Sequence, residues 1–319
     1  MYFELINKLV WYIPIKKLRN TIRELLMLHF KKLDSIEYQI YLQEFRSMVR
    51  NNIINLGNEK IINETRKEKL IISLTSYPQR MQTLDVTLYS FLDQTIKPDK
   101  IVLWLSYEEF PNLERDIPNH ILNMKKFGIE IEFCKNLRSY NKLLYSLKKY
   151  PNDIIVVADD DMYYPHDWLK LLYNSYLENK NVVHCHRAIK ISFDDKNNPT
   201  PYKSWPAIYS QELSYKNFCT GVGGVLYKPS FFYKDVFNEE LFLSLCPTED
   251  DMWFWAMIVL NDIKIKVVKN NIKDEQLKSI SLYNYKNLYD YNQYNNDEPF
   301  NNIINHYGDK LKNKLLSDN

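Results

Sequence analysis

Two acidic clusters hold residues that could do chemistry. Asp159, Asp160 and Asp161 follow the apolar run "DIIVVA" (153–158), and Glu249, Asp250 and Asp251 follow Thr248 ahead of "MWFWAMIVL". Neighbouring carboxylates repel one another unless a cation sits between them. Hard oxygen donors of this kind select Mg2+ or Mn2+. Such an ion keeps open positions for water and substrate phosphates, which suits it to hold a diphosphate and stabilise it as a leaving group. The plainer reading of the first cluster is a solvated turn capping a helix that begins near Pro165. The second cluster has an ordinary reading too, since Thr248 and Asp251 have capping-box spacing and acids suit a helix N-terminus. Its chemical reading is a general base, supplied by Glu249 or Asp250, acting on an acceptor hydroxyl. Together the clusters fit a two-substrate transferase, the first holding a nucleotide diphosphate and the second facing the acceptor.

The elements that must position these acids are legible from Leu70 onward. Short apolar runs alternate with helical periods, the sign of a mainly parallel sheet covered by helices. Strands are expected at 70–74, 100–106, 129–133, 153–158, 182–188 and 263–268; helices are expected from Leu84 and at 139–150, 168–179, 247–260 and 298–316. Ligands of such sheets sit outside the carboxyl ends of the strands, where Asp159 to Asp161 fall. Gly221, Gly223 and Gly224 are three of the six glycines in the chain, a concentration that points to close backbone approach to a ligand or a neighbouring strand. Residues 192–217, with Pro199, Pro201, Trp205 and Pro206, have no periodicity and suit an ordered loop over a site. His184 and His186 alternate with Cys185 on one strand face, which favours a structural role over metal ligation. Trp253 and Trp255 cannot both face the core of one helix, so one of them is a candidate for the acceptor pocket, although packing is the stronger reading for each.

Composition narrows the class. The chain has 319 residues, 45% hydrophobic and 26% charged, and its net charge of +2 gives no reason to expect nucleic acid as a partner. Cys134, Cys185, Cys219 and Cys246 lie far apart without a CxxC pair, so neither a zinc site nor a disulfide framework is expected, and a reducing cytoplasm is the simplest location. No run approaches the roughly 18 apolar residues of a membrane span, and the N-terminus lacks the order of a signal peptide. Residues 1–35 mix Trp11, Tyr12 and Ile13 with Lys16, Lys17, Arg19 and Arg23, then Leu25, Leu26, Met27 and Phe30. That mixture suits either contact with an anionic membrane surface through residues 1–30 or a helix packing on its own domain. Residues 36–68 read as helical and polar, linking this arm to the core.

These residues resemble a GT-A-type bacterial glycosyltransferase of family 2, with some similarity to the exostosin C-terminal domain. "VVADDDMYYPHDWL" stands where such enzymes carry an Asp-x-Asp motif, "ISLTSYPQR" (72–80) resembles their first strand and nucleotide-facing loop, and "CTGVGGVLYKPSFF" with "CPTEDDMW" resembles the glycine-rich strand and Glu-Asp pair. The resemblance implies an α/β GT-A (Rossmann-like) fold, with a mixed, mainly parallel sheet and helices on both faces. It divides the chain into an N-terminal helical arm (1–68), a catalytic domain (69–275) and a C-terminal helical extension (276–319). It implies Mn2+ or Mg2+ held chiefly by Asp161, Asp159 toward the ribose or the metal, Asp160 near the donor sugar, and His306 as a late metal-binding histidine. Thr75, Tyr77 and Arg80 would lie by the nucleotide, Arg138 and Lys142 beside the base or diphosphate, and Arg187 and Gly223 by the donor sugar. Asp250 would be the base of an inverting enzyme and Glu249 would contact the acceptor; exostosin-type relatives retain configuration and would give Asp250 another job. The implied activity moves a sugar from a nucleotide sugar, a UDP-sugar by preference, to a saccharide or glycolipid acceptor. Its setting would be lipopolysaccharide, lipooligosaccharide or capsule synthesis, in the cytoplasm or peripherally on the inner face of the membrane. Two other readings stand beside it. A nucleotidyltransferase also uses strand-end carboxylates, but no glycine-rich triphosphate loop follows the first strand. A non-catalytic saccharide-binding or membrane-surface protein would respond to no metal.

Overall fold

The apolar run at Leu70 forms the first strand of the sheet, buried from Leu70 to Leu74 on both faces, as expected where helices cover both sides. The computed structural model describes residues 10, 16–56, 66–272, 278–280 and 296–318. Its strands in chain order are β1 (Leu70–Thr75), β2 (Lys100–Ser106), β3 (Ile129–Cys134), β4 (Ile154–Val157), β5 (Met162–Tyr163), β6 (Val183–Cys185), β7 (Ala188–Lys190), β8 (Ala207–Ile208), β9 (Leu213–Ser214), β10 (Asn217–Cys219), β11 (Val225–Tyr227), β12 (Ile265–Val267) and β13 (Lys278–Ser279). The principal helices are α1 (Lys16–Asn55), α2 (Leu84–Leu92), α3 (Asn141–Lys149), α4 (Trp168–Glu178), α5 (Glu239–Leu245), α6 (Asp250–Leu260), α7 (Asp297–Tyr307) and α8 (Asp309–Leu316).

Among the described residues the main sheet has eight strands in the order β3-β2-β1-β4-β11-β6-β12-β9. β1, β2, β3 and β4 run parallel, as do β6 and β12, while β11 and β9 run against their neighbours. The chain steps from β1 outward to β3, then returns to place β4 on the other side of β1. That reversal opens a crevice at the carboxyl ends of β1 and β4. Ser73 opposite Val157 in their register sets Thr75 level with Asp159, so the end of β1 and the acidic cluster share one rim.

Alternation along the strands divides the core in two. Ile155, Val157, Val225, Tyr227, Ile265 and Val267 join α3 and α6 in one apolar cluster, which also takes in Phe300, Ile303, Leu311 and Leu315 from α7 and α8. The C-terminal helices are thus part of this core. On the other face, α2 and α4 meet through Phe91, Tyr164 and Trp168, whose ring centroids lie 4.5 to 5.8 Å apart. α6 is buried on all sides, so Trp253 and Trp255 are both fully enclosed, and neither lines an acceptor pocket. A helix pressed between a sheet and further helices can be apolar all round, which resolves the conflict that their spacing raised.

Several boundaries differ from the sequence reading. Within the glycine-rich stretch 221–227 a strand begins only at Val225, because Gly221–Gly223 form a single 3-10 turn. The expected C-terminal helix breaks into α7 and α8 at Gly308, where φ is +53°. The 192–217 segment contains β8 and β9 and the start of β10. In the first compact unit, Met1–Asn55, a single helix crosses the position where a boundary near residue 35 was expected, and Trp11, Tyr12 and Ile13 lie outside the described residues. Along α1, Leu18, Leu25, Ile36, Tyr38, Ile40, Tyr41, Met48 and Ile54 are exposed. No helix among the described residues is long and apolar enough to cross a membrane.

Candidate active site

The site is built on the first turn of α3. Ser73 Oγ on β1 donates to the Lys142 carbonyl at 2.5 Å and lies 2.7 Å from Ser146 Oγ, to which Trp104 Nε1 on β2 donates at 2.8 Å. Asn141 Oδ1 accepts the Leu137 N–H at 3.0 Å, closing the turn that leads into the helix. These bonds fix where Lys142 starts, and its side chain runs to the rim 7% exposed. There its ammonium lies 3.2 Å from Asp159 Oδ1, 3.1 Å from Asp250 Oδ2 and 4.0 Å from Asp251 Oδ1. Burial opposes its charge, but the three carboxylates outweigh burial and hold its pKa well above the usual lysine value.

The two acidic clusters therefore converge, although they are far apart in sequence. α6 begins beside α3 because Tyr140 binds the segment that precedes α6: its hydroxyl donates to the Cys246 carbonyl and its ring stacks on Phe242 at 4.3 Å. The capping box expected from Thr248 and Asp251 does not form. Asp251 instead accepts the Gly221 N–H at 2.7 Å, while the Thr248 hydroxyl donates to Glu249 Oε1 at 3.3 Å. Asp251 serves the tertiary contact because the glycine turn lies within reach of the α6 N-terminus. Burial and the neighbouring Asp250 and Asp251 charges raise the Glu249 carboxyl to about 7. Burial likewise raises Asp251 to about 7, against the pull of Lys142.

The triple aspartate is not a solvated cap. Asp160 Oδ2 accepts Ser76 Oγ at 2.6 Å and its carbonyl accepts Thr87 Oγ1 at 3.0 Å. Asp161 Oδ2 lies 2.6 Å from Arg80 Nη1, and Arg80 Nε donates to the Tyr77 hydroxyl at 3.1 Å. Burial and the Asp161 charge push Asp160 up to about 7, with Arg80 and Ser76 opposing; Asp161 is also raised, by burial first. Beneath them, the buried Tyr164 hydroxyl accepts the Asp159 N–H at 2.8 Å and donates to the Val222 carbonyl at 3.2 Å. Trp168 Nε1 donates to the Gly223 carbonyl at 2.7 Å. The glycine turn is thus fastened under Asp159 by two aromatic side chains of the opposite layer.

The structure gathers Tyr77, Arg80, Lys142, Asp159, Asp160, Asp161 and Asp250 in one polar network at the rim, with Glu249 next to Asp250 in sequence. Thr75 ends β1 there, but its hydroxyl donates to the Trp104 carbonyl at 2.9 Å. Gly223 is pressed against Arg187, where a Cβ would come 2.7 Å from Arg187 Cβ, and Arg187 Nη1 donates to Thr220 Oγ1 at 3.1 Å. Arg138 is exposed in a left-handed conformation with φ +57°. His306 is exposed on α7, its ring 4.7 Å from that of Tyr307. His184 and His186 are core residues, each hydrogen-bonded through both ring nitrogens. The sequence assigned no role to Ser76 or Tyr164, and it marked Gly221 only as a point of close backbone approach and Asp251 only as a member of the second acidic cluster. Ser76 and Tyr164 lie within the quoted motifs, but nothing in the spacing signals that Asp251 reaches Gly221.

Asp159 and Asp161 supply the charged oxygen donors that a hard divalent ion takes. Among the described residues no three His, Cys, Asp or Glu side chains converge on a point suited to a metal.

A mainly parallel α/β sheet with carboxylates at its switch point defines the GT-A, Rossmann-like class of fold. The chain matches the model of glycosyl transferase family 2 over residues 76–241, just over half its length, and it belongs to that family. The match takes in the triple aspartate and stops short of Glu249. Among solved structures, S. aureus TarS (residues 1–349) is 14% identical with a TM-score of 0.39, over 62% of this chain and 57% of that one, so the chain spans just over half of that structure. The 4-diphosphocytidyl-2C-methyl-D-erythritol synthase of Anaerococcus prevotii is 16% identical with a TM-score of 0.39, over 65% of this chain and 90% of that one. A CMP:2-keto-3-deoxy-manno-octonic acid synthetase complexed with CTP is 12% identical with a TM-score of 0.36, over 65% and 93%. No curated protein matches the chain.

Proposed function

We propose that the protein is a metal-dependent, inverting glycosyltransferase that moves a sugar from a UDP-sugar to a saccharide or glycolipid acceptor in bacterial surface-polysaccharide synthesis. The observation that carries this reading is the convergence of Asp159 and Asp250 on one buried ammonium at the sheet's switch point. A strand-end acid for the donor and a helix-start acid for the acceptor then share one reaction centre. Asp250 takes the proton of the acceptor hydroxyl as its oxygen attacks the anomeric carbon from the face opposite the diphosphate. The bond from that carbon to the diphosphate oxygen breaks, and UDP departs with the electron pair. Glu249 orients the acceptor, and Tyr77, Arg80 and Arg138 border the nucleotide. When bound, Mn2+ or Mg2+ on Asp159 and Asp161 would neutralise charge on the diphosphate. Surface-polysaccharide acceptors are taken from the family resemblance, as is the UDP moiety.

A thermal-shift screen of UDP-sugars with and without Mn2+ tests the donor, because selective binding stabilises the fold by mass action. At least one UDP-sugar should raise the melting temperature with Mn2+ present, and Asp161→Ala should abolish the metal-dependent part. Metal-dependent turnover that survived Asp161→Ala unchanged would exclude this site. We further propose peripheral contact with the inner face of the cytoplasmic membrane through residues 1–30, supported by the exposure of Leu18 and Leu25 on α1. A chain lacking residues 1–30 should lose binding to vesicles rich in phosphatidylserine; undiminished binding refutes the contact.

A further inference from the structure

The proposed base, Asp250, is a buried carboxylate whose Oδ2 is paired with the Lys142 ammonium 3.1 Å away. Its neighbour Asp251 is held independently by the Gly221 N–H. Lys142 in turn is anchored by its own backbone to β1 through Ser73, and its ammonium reaches Asp159 at the end of β4. Burying an ammonium is unfavourable unless it is well paired, and removing one partner of such a pair leaves an uncompensated charge. Room for the ammonium comes from Gly221, where a Cβ would lie 2.8 Å from Nζ and 3.0 Å from Asp251 Oδ1.

We propose that Lys142 is a positioning residue: it ties Asp250 to Asp159, so that the donor-side and acceptor-side acids move as one unit and the base keeps its aim. This rests on the reading of Asp250 as the base. Lys142 acts through Asp250, and a lysine there serves both halves of the site because its long stem spans from α3 to the rim between β4 and α6. Any substitution that removes the charge frees both carboxylates to turn apart. The donor and acceptor halves would then fold but no longer align.

The test is a double-mutant cycle on the full chain with Lys142→Met, Asp250→Asn and both together, plus Lys142→Arg. The first readout is acceptor-free release of UDP from UDP-glucose, UDP-galactose and UDP-N-acetylglucosamine with Mn2+, and the second is the urea unfolding midpoint. Asp250→Asn should slow release by about a hundredfold or more, as expected on losing a general base. Lys142→Met should slow it about tenfold or more, and the double variant should be no slower than Asp250→Asn alone, because residues acting as a unit are non-additive. Lys142→Arg should recover part of the rate. In unfolding, adding Asp250→Asn to Lys142→Met should raise the midpoint, since one unpaired carboxylate is gone. Additive losses in both readouts, or no recovery by arginine, would overturn the proposal. If Asp250→Asn released UDP at the wild-type rate, the base assignment would fall, and with it the catalytic part of the proposal, while the unfolding cycle would still decide the tie. Should Lys142→Met fail to fold, Gly221→Ala displaces the ammonium without removing it; slowed release supports the proposal and unchanged release overturns it.

Discussion

Arg80 Nη1 lies 2.6 Å from Asp161 Oδ2, and this contact explains why the chain tolerates three consecutive aspartates. Asp159 has Lys142 from α3, while Asp160 has the Ser76 hydroxyl and Asp161 has Arg80, both from the loop between β1 and α2, so each carboxylate has its own partner. The repulsion is met by side chains that the sheet brings to its rim. Replacing Arg80 with Met should destabilise the fold by about 1–3 kcal/mol, below the range for a fully buried pair because both partners keep some solvent contact. Urea unfolding of Arg80→Met, Asp161→Asn and the double variant checks this, and a double variant as unstable as the sum of the singles would refute the pairing.

Tyr164 sits one layer below and makes a second prediction. Its hydroxyl accepts from the Asp159 N–H and donates to the Val222 carbonyl, joining the acidic turn to the glycine turn. Tyr164→Phe keeps the ring packing on Phe91 and Trp168 but strands two backbone groups. The expected loss is about 1–3 kcal/mol in urea unfolding, the range for unsatisfied buried polar groups. Donor affinity should weaken with it, and an unchanged unfolding midpoint would show that water replaces the hydroxyl.

The sequence made the donor side of the site far more legible than its coupling to the acceptor side. A β-branched run ending in three aspartates announces a buried strand and a charged rim, and the structure has both. The partners of those aspartates follow from sheet order, which composition cannot supply: Lys142 meets Asp250 only because Tyr140 packs against Phe242 and ties to Cys246. The Thr248 and Asp251 spacing has the form of a capping box, yet Asp251 was claimed by a glycine turn distant in sequence. Local pattern misleads wherever a tertiary partner outcompetes a local one. Trp253 and Trp255 show the converse, since helical spacing made one of them a candidate for the acceptor pocket, and a further layer of helices, with Tyr307 and Phe300 on α7 and Phe242 on α5, encloses both. Gly223 was expected beside the donor sugar, and the close approach visible in the fold is to Arg187.

Gly224 and Gly308 separate two reasons for glycine. Gly224 has φ +92° and no room: a Cβ would lie 2.5 Å from the indole of Trp168. Gly308 has φ +53° with nothing within 4 Å of a Cβ. Gly308→Ala should therefore carry backbone strain alone, about 1–3 kcal/mol. Gly224→Ala adds overpacking against a buried ring and should cost roughly 2–5 kcal/mol in total. Urea midpoints of the two variants provide the comparison, and equal losses would contradict the close packing at Trp168.

The buried histidines set an acid limit on stability. His186 accepts the Ile272 N–H on Nδ1 and pairs with the Trp168 carbonyl through Nε2, so its bonds are satisfied by the neutral ring. His184 is placed likewise, with Ser175 on Nδ1 and the Asn179 carbonyl on Nε2. Burial lowers both to about 4 from the ordinary value of 6.5. Between those values the unfolded chain binds protons that the folded chain refuses, so stability rises with pH across the window. Their contribution is complete above about pH 6.5 and is lost as pH falls toward 4, by roughly 3 kcal/mol per histidine at 1.36 kcal/mol for each pKa unit. Over the same window the raised carboxyls of Asp160, Glu249 and Asp251 act in the opposite sense, favouring the folded state as pH falls, so the histidine contribution is read as a difference between the wild type and a histidine variant. His186→Gln lowers stability at neutral pH but removes one titrating group, so between pH 7 and pH 5 the wild type should lose about 2 kcal/mol more, or gain about 2 kcal/mol less, than the variant. A variant as steep as the wild type would assign the acid sensitivity to other groups.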